Sequence, residues 1–336
     1  MYEIGSEFHK VSPGSGHGFY FPVDGTLVFS GRTAIETVLK ELPHTRKAVL
    51  PSYCCDSMIE PFRRARIAVE FYPVEYKDGV VIDVQIPKDA DIFLWCNYFG
   101  FHTSMPVSRL VAFKNCGGVV IEDITHSLLS AHPYNPQSDY LVASVRKWEP
   151  INCGGYCAAV NGELHYIPTN TPIEEFIDVK TSAMKLKTEY FNDLDEEKKQ
   201  KFLSMFGESN HWLSTNYSNL NIDEESRDFL ANVDMETQKE VRRRNAHILY
   251  EGLRGKVEFL FKEEDMDCPL FVPIIVSNRD VVRKHLTENK IYCPVHWPQP
   301  DGCRSNLYDL ELSLICDQRY DEDDMKRIVE ILKHVV

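Results

Sequence analysis

A lysine lies between two apolar runs of the sequence, in the segment SVRKWEPINCGG over residues 144–155. The run YLVASV leads up to Lys147, and GYCAAV follows the lysine turn. Such a lysine is either a surface charge in a turn or a buried amine kept for chemistry. A desolvated amine is a good nucleophile and proton carrier, because burial lowers the pKa of a lysine.

Two other segments place polar groups at the ends of predicted strands. In FSGRTA, a strand gives way to a helix at Gly31, where free backbone N–H groups could bind an anion such as phosphate. In VVIEDITHS, Asp123 ends a buried strand, and a buried carboxylate needs a partner or a task. The alternatives are that FSGRTA is an ordinary turn and that Asp123 caps the next helix.

Together, the three segments match the needs of pyridoxal phosphate. In open α/β folds, ligands bind at the carboxyl ends of the strands, so the segments can meet there. The cofactor requires a lysine that forms a Schiff base, a carboxylate for its pyridine nitrogen and a site for its phosphate. Ser144, three residues before Lys147, could also donate to the phosphate. We therefore predict a pyridoxal phosphate site.

The elements that must position these residues alternate along the chain. Up to about residue 165, continuous Val/Ile/Leu runs alternate with amphipathic helical patterns. This pattern is typical of an α/β fold, and we predict a large domain with a mostly parallel seven-stranded sheet flanked by helices. The helical pattern continues over residues 173–206, and the polar residues 207–221 are predicted to form a loop.

The last third of the sequence predicts a smaller unit. A long helix that ends at Gly255 is followed by strand and helix patterns of a small C-terminal α/β domain, including a strand over IYCPVHW. We place the large domain at residues 1–230 and the small domain at residues 231–336. The cluster Arg242-Arg243-Arg244 in the long helix is interpreted as a solvated face.

Composition excludes several classes of protein. The formal net charge of −14 argues against a nucleic-acid partner. No apolar run approaches the roughly 18–20 residues that span a membrane, and no signal peptide is evident at the N-terminus. The ten cysteines show neither CxxC pairs nor zinc-finger spacing. We therefore expect a cytoplasmic protein with reduced thiols, no membrane partner and no metal site.

Five segments carry a resemblance to a known family. They are SGRTAIETVL, VLPSYCC, VVIEDITHS, SVRKWEPINCGGYCAAV and IYCPVHWP. Their order and spacing resemble the DegT/DnrJ/StrS family of sugar aminotransferases, which belongs to the fold-type-I pyridoxal phosphate enzymes. The resemblance covers about residues 25–165 and 235–330. It implies an aminotransferase that uses an amino-acid donor to aminate a nucleotide-linked keto-sugar, and that works as a homodimer with shared active sites.

The resemblance also implies roles for individual residues. Lys147 would be the Schiff-base lysine and the general acid/base, and Asp123 would pair with the pyridine nitrogen. His126 would lie near the phenolic oxygen of the cofactor. Three residues would meet the phosphate, and two would reach into the site of a neighbouring subunit. These are Gly31, Arg32 and Thr33 for the phosphate, and Asn216 and Tyr217 for the neighbouring site. Tyr53 or Cys55 falls near the aromatic residue that stacks on the ring.

The sequence departs from the family pattern at three places. Arg32 replaces a threonine, Ser144 is closer to the lysine than usual, and WCNYFGF replaces a His-Leu-Tyr-Gly segment. An anionic nucleotide-sugar would need local basic groups such as Arg146 or the 242–244 cluster. Two alternatives remain for the function: a lyase, decarboxylase or acyl transferase of the same fold, or a homologue that binds the cofactor or a sugar without turnover.

Overall fold

The computed structural model of the chain describes residues 2–12, 14–84, 86–103 and 105–336. The strands are β1 (Ile4–Gly5), β2 (Thr26–Val28), β3 (Lys47–Pro51), β4 (Ala68–Tyr72), β5 (Val74–Tyr76), β6 (Val80–Ile82), β7 (Ile92–Cys96), β8 (Val119–Asp123), β9 (Tyr140–Ser144), β10 (Gly155–Ala159), β11 (Glu258–Phe259), β12 (Val272–Ile275), β13 (Ile291–Tyr292) and β14 (Glu311–Leu314). The helices are α1 (Gly31–Glu41), α2 (Asp56–Arg64), α3 (Val107–Asn115), α4 (Glu174–Asp193), α5 (Glu196–Thr215), α6 (Glu224–Leu230), α7 (Met235–Leu253), α8 (Arg279–Glu288), α9 (Leu307–Leu310) and α10 (Glu322–Leu332).

Seven strands form the main sheet, in the order β2-β10-β9-β8-β7-β3-β4. The five strands from β9 to β4 are parallel to their neighbours, whereas β10 runs antiparallel to both β9 and β2. All five residues of β7, IFLWC, are buried, as expected for a strand covered on both faces. The predicted α/β fold with a mostly parallel seven-stranded sheet is confirmed.

The C-terminal part contains a three-stranded antiparallel sheet, β11-β12-β14, and α10 packs against α7. The strand predicted over IYCPVHW is shorter than expected and ends at Tyr292. It pairs in parallel with β1, where Ile4 lies opposite Ile291. The first residues of the chain therefore join the C-terminal part, and the division at residue 230 stays a prediction.

The prediction of a loop over residues 207–221 was wrong for its first part. Helix α5 continues to Thr215 and packs against α4, and Leu194, in a left-handed conformation with φ of 55°, separates the two helices. The reason is the spacing of four buried side chains, which keeps one face of α5 apolar enough to pack. They are Phe202, Phe206, Ser209 and Leu213. Within the described ranges, no helix has the length and apolar character needed to cross a membrane.

Candidate active site

The lysine turn is a single 3₁₀ turn, Val145–Lys147, between β9 and the Gly-Gly pair. The backbone of Val145 donates to the carbonyl of Gly154 at 3.0 Å, which closes the turn. A Cβ atom on Gly155 would lie only 2.2 Å from the carbonyl oxygen of Ser30. The glycine therefore lets the lysine turn approach the start of α1, which brings two of the three predicted segments together.

Asp123 ends β8 and is only 7% exposed. Its Oδ1 accepts a hydrogen bond from the backbone N–H of Thr125 at 2.9 Å, and residues 125–129 form turns rather than a helix. The alternative of a helix cap is therefore wrong. Burial raises the pKa of Asp123, while the bonds from Thr125 and the charge of Lys147 act in the opposite direction. The carboxylate and the amine interact and line one cavity.

His126 links the amine to this strand end. Its Nδ1 accepts a hydrogen bond from the backbone N–H of Phe99 at 3.1 Å, so the ring proton is expected on Nε2. Nε2 lies 3.4 Å from Nζ of Lys147. Burial, helped by the charge of Lys147, lowers the pKa of His126 well below its usual value. The imidazole is therefore neutral beside Lys147.

The start of α1 forms the third side of the cavity. Ser30 is the N-cap, and its hydroxyl accepts from the backbone N–H of Thr33 at 3.3 Å. Nε of Arg32 is buried and has no hydrogen-bond partner among the described residues, since the nearest carboxylate oxygen, on Glu60, is 4.0 Å away. The helix N-terminus and the Nε of Arg32, which lacks a hydrogen-bond acceptor, favour an anion.

The structure brings six of the predicted site residues to one cavity. These are Gly31, Arg32, Asp123, His126, Ser144 and Lys147. Four others do not line it within the described ranges. These are Thr33, Tyr53, Asn216 and Tyr217. The cofactor roles proposed for all ten stay predictions.

The four residues outside the cavity have other surroundings. Thr33 is buried and donates to the carbonyl of Tyr217 at 2.8 Å. The Tyr217 side chain is itself fully buried, and its hydroxyl donates to Glu60. Asn216 is exposed at the end of α5. Tyr53 is buried, with its ring 5.0 Å from that of Trp297.

Sequence reasoning missed the aromatic residue of the cavity. Trp297 stacks on His126, with 5.7 Å between ring centres, and its ring lies 5.8 Å from Nζ of Lys147. It belongs to the segment IYCPVHWP, whose aromatic residue was visible but had no assigned role. Cys55, the alternative to Tyr53, lines the cavity. Thr125 was also missed, although a polar residue two positions after an aspartate is a common turn pattern.

The interpretation of the arginine cluster as a solvated face was wrong for Arg242. This side chain is fully buried, because α7 turns it towards the lysine turn. Its guanidinium lies 4.5 Å from the ring of Trp148 and donates to the carbonyls of Pro269 and Leu270. The other two arginines of the cluster are exposed.

Comparison with solved structures identifies the fold. The structure of S. venezuelae DesV in complex with a ketimine intermediate matches with a TM-score of 0.61, 13% identity and coverage of 92% of this chain and 84% of that chain. DesI in the presence of its TDP-sugar product gives a TM-score of 0.64, 14% identity and coverage of 93% and 80%. A DegT DnrJ EryC1 StrS aminotransferase from Brucella abortus matches with a TM-score of 0.60 and 16% identity, and the match covers 93% of this chain and 86% of that chain.

The chain has the fold of these aminotransferases. This confirms the fold type that the five sequence segments predicted. No protein-family model and no curated protein sequence matches the chain, so the likeness lies in the structure.

The residues present fit pyridoxal phosphate. The free Nε of Arg32 and the N-terminus of α1 suit its phosphate. Among the described residues only Thr125 donates hydrogen bonds to Asp123, so the carboxylate keeps acceptor capacity for a pyridine N–H. Lys147 lies in the same cavity, where it can meet the aldehyde.

Proposed function

We propose that the chain is a pyridoxal phosphate-dependent aminotransferase of the DegT/DnrJ/StrS type. It transfers an amino group from an amino-acid donor to a keto-sugar that is linked to a nucleotide. The observation that carries this proposal is the meeting of Lys147, Asp123 and the start of α1 in one cavity. The same three features are what the cofactor requires at its aldehyde, its pyridine nitrogen and its phosphate.

Different residues of the chain have different roles toward the cofactor. When bound, the cofactor supplies an electron sink for the carbon beside the substrate nitrogen. Lys147 attaches the cofactor through Nζ and, once free, moves the proton between the two carbons that react. Asp123 accepts the pyridine N–H and keeps the ring cationic. Backbone N–H groups at the start of α1, with Arg32 and Ser144, hold the phosphate.

Three neighbours position these groups. Thr125 donates to Asp123 through its backbone and accepts from the backbone N–H of Ser144 at 2.9 Å, so it ties the ends of β8 and β9 together. His126 keeps a neutral imidazole beside Lys147. Trp297 covers the cavity next to both and excludes water from the amine.

The proposed substrate class rests on the structural neighbours. The DesI structure contains a TDP-sugar product, and the B. abortus protein is named as an aminotransferase. A cytoplasmic homodimer, in which Asn216 approaches the site of the second subunit, completes the proposal; the buried Tyr217 side chain is bonded to Glu60 of its own chain and does not take part. The exposure of Asn216 at the end of α5 is compatible with such a contact.

Absorbance spectroscopy tests the proposal directly. The purified protein, loaded with pyridoxal phosphate, should be yellow, and glutamate should bleach the colour as the cofactor takes up the amino group. A nucleotide-linked keto-sugar should then restore it. Borohydride reduction followed by peptide mass spectrometry should locate the cofactor on Lys147. Colour that no amino acid bleaches would contradict an aminotransferase and favour a lyase or a binding protein.

A further inference from the structure

A second cavity of about 490 Å³ adjoins the cofactor cavity at the lysine turn. The two cavities share Arg146 and Lys147. The second cavity lies between the N-terminal segment 6–8 and the C-terminal part of the chain. Five cationic side chains but only two carboxylates line it. The cations are Arg146, Lys147, Arg242, Arg283 and Arg319, and the carboxylates are Glu7 and Asp317.

Both carboxylates already have partners. Asp317 forms an ion pair with Arg319 at 2.7 Å. Glu7 pairs with Lys180 at 3.3 Å and accepts a hydrogen bond from Asn210 at 3.0 Å. The pKa of Glu7 is lowered to about 2: burial alone would raise it, but the charges of Lys180 and Arg146 outweigh burial. Two carboxylates are thus shared among more cations than they can neutralise, and the lining of the cavity keeps a net positive charge.

Arg146 is the clearest case. Within the described ranges, no hydrogen bond or ion pair within 4 Å joins its guanidinium to a protein acceptor. Burial lowers its pKa, the charge of Glu7 raises it and the charge of Arg32 lowers it further. A half-buried guanidinium beside a second cation is costly unless an anion joins it. The position of Arg146, immediately before Lys147, puts that anion next to the reacting amine.

Arg242 adds a second unpaired donor set at the same cavity. It is fully buried, and its Nε and Nη2 find no acceptor among the described residues, although Nη1 bonds two carbonyls. Its face covers the ring of Trp148, the residue after the lysine. A guanidinium held flat in this way is oriented to bind a carboxylate.

We propose that Arg146, supported by Arg242, binds the carboxylate of the amino donor in this second cavity. The inference rests on the proposed function, because it takes Lys147 as the reacting amine. The amino group of the donor must come close to Lys147, and the carboxylate of an amino acid is bonded to the same carbon as that amino group. Arg146 is therefore within reach of the carboxylate, and its position makes it a specificity-determining residue for the donor.

Calorimetric titration of the cofactor-loaded protein with succinate, an unreactive dicarboxylate, tests the inference. We expect Arg146→Gln to weaken succinate binding about 10- to 100-fold, because a charge-assisted hydrogen bond is lost. Arg146→Lys should weaken it less, since the charge remains. Arg254→Gln is the control: it removes an exposed charge at the end of α7, the helix that carries Arg242, and should leave the succinate affinity unchanged. Arg242→Gln is a weaker test, because a buried side chain is removed.

A parallel titration with UDP separates the donor from a nucleotide-linked acceptor. The inference predicts that Arg146→Gln loses succinate affinity more than UDP affinity. Unchanged succinate affinity would overturn it, and so would a loss confined to UDP. In the donor half-reaction, the variant should raise the glutamate concentration for half-maximal rate more than it lowers the maximal rate. Failure of wild-type Lys147 to take up the cofactor, seen by mass spectrometry, would instead reject the proposed function.

Discussion

Glu122 and Asp123 are consecutive residues of β8, both are buried, and they point to opposite faces of the sheet. Glu122 accepts hydrogen bonds from the amide of Asn97 at 2.6 Å, the backbone of Asn135 at 2.8 Å and the hydroxyl of Ser138. Asp123 accepts hydrogen bonds from Thr125 alone among the described residues. Burial raises the pKa of both carboxyl groups, that of Glu122 to about 7.

The difference separates a structural carboxyl group from a functional one. The partners of Glu122 come from two segments, one at Asn97 and the other over residues 135–138, so Glu122 holds those segments together. Asp123 is bonded only by Thr125 among the described residues, and it lines a cavity together with Lys147. A buried carboxyl group with unused hydrogen-bonding capacity beside an amine is typical of a ligand site.

The largest expected effect comes from removing the Lys147 amine. Of the two carboxyl groups compared, only Asp123 faces this amine. Lys147→Ala should abolish covalent cofactor attachment and lower the transamination rate by at least about ten thousandfold, because the nucleophile and the proton carrier are lost together. Absorbance and reductive trapping measure the attachment. Lys185→Ala, at an exposed position of α4, is the control and should behave like the wild type. Retained colour in Lys147→Ala would assign the attachment to another lysine.

Replacing each of the two carboxyl groups by alanine, one at a time, tests the comparison itself. Asp123→Ala should lower turnover about a thousandfold, because the ring loses its charge partner, and should change the free energy of unfolding by less than about 1 kcal/mol. Glu122→Ala should do the reverse. It should destabilise the fold by about 2–3 kcal/mol, since buried donors lose their acceptor, and reduce turnover only a few-fold. Equal losses of turnover in the two variants would remove the distinction.

The pH dependence of stability sharpens the comparison on the structural side. The folded protein holds the Glu122 proton up to a pKa of about 7, whereas the unfolded chain releases it near 4.5. This contribution is complete below pH 4.5 and is lost as the pH rises towards 7, with a total of about 3 kcal/mol. Glu122→Gln should flatten this decline in urea titrations between pH 4.5 and 7. Glu149 and Glu311, with pKa values raised by burial to about 8, keep a residual decline.

Much of the fold was predictable because the central strands have a recognisable apolar sequence pattern. A strand covered on both faces must be apolar throughout, so β3, β7 and β8 are readable from Val, Ile and Leu alone. The end of α5 was not readable, because residues 207–215 are mostly polar and only Ser209 and Leu213 on one face are buried. The pairing of β1 with β13 is a contact between the two ends of the chain, which no local pattern encodes.

The residues of the candidate site likewise divide into those that the sequence could predict and those that it could not. Lys147, Asp123 and Gly31 follow strand ends, and the carboxyl ends of parallel strands meet at one edge, so their meeting was predictable. Trp297 and Arg242 come from the C-terminal part, and they reach the lysine turn only through the packing of the two parts of the chain. The burial of Arg242 depends on which side of α7 faces Trp148, and a run of three arginines does not reveal that side.

The smallest effect is expected at Arg32, on the functional side of the comparison. The related family has threonine at this position, and here the guanidinium leaves a buried Nε without a partner at the start of α1. Arg32→Thr should keep the cofactor bound through the backbone N–H groups and the Ser144 hydroxyl, but weaken its affinity about tenfold, because one charge-assisted hydrogen bond is lost. Equilibrium titration of the cofactor-free protein with pyridoxal phosphate, followed by absorbance, measures this affinity.

Inorganic phosphate should compete less well for the site in the Arg32→Thr variant for the same reason. An unchanged affinity for both would mean that Arg32 serves Glu60 rather than the phosphate, and would leave Asp123 and Lys147 to hold the cofactor with the helix alone.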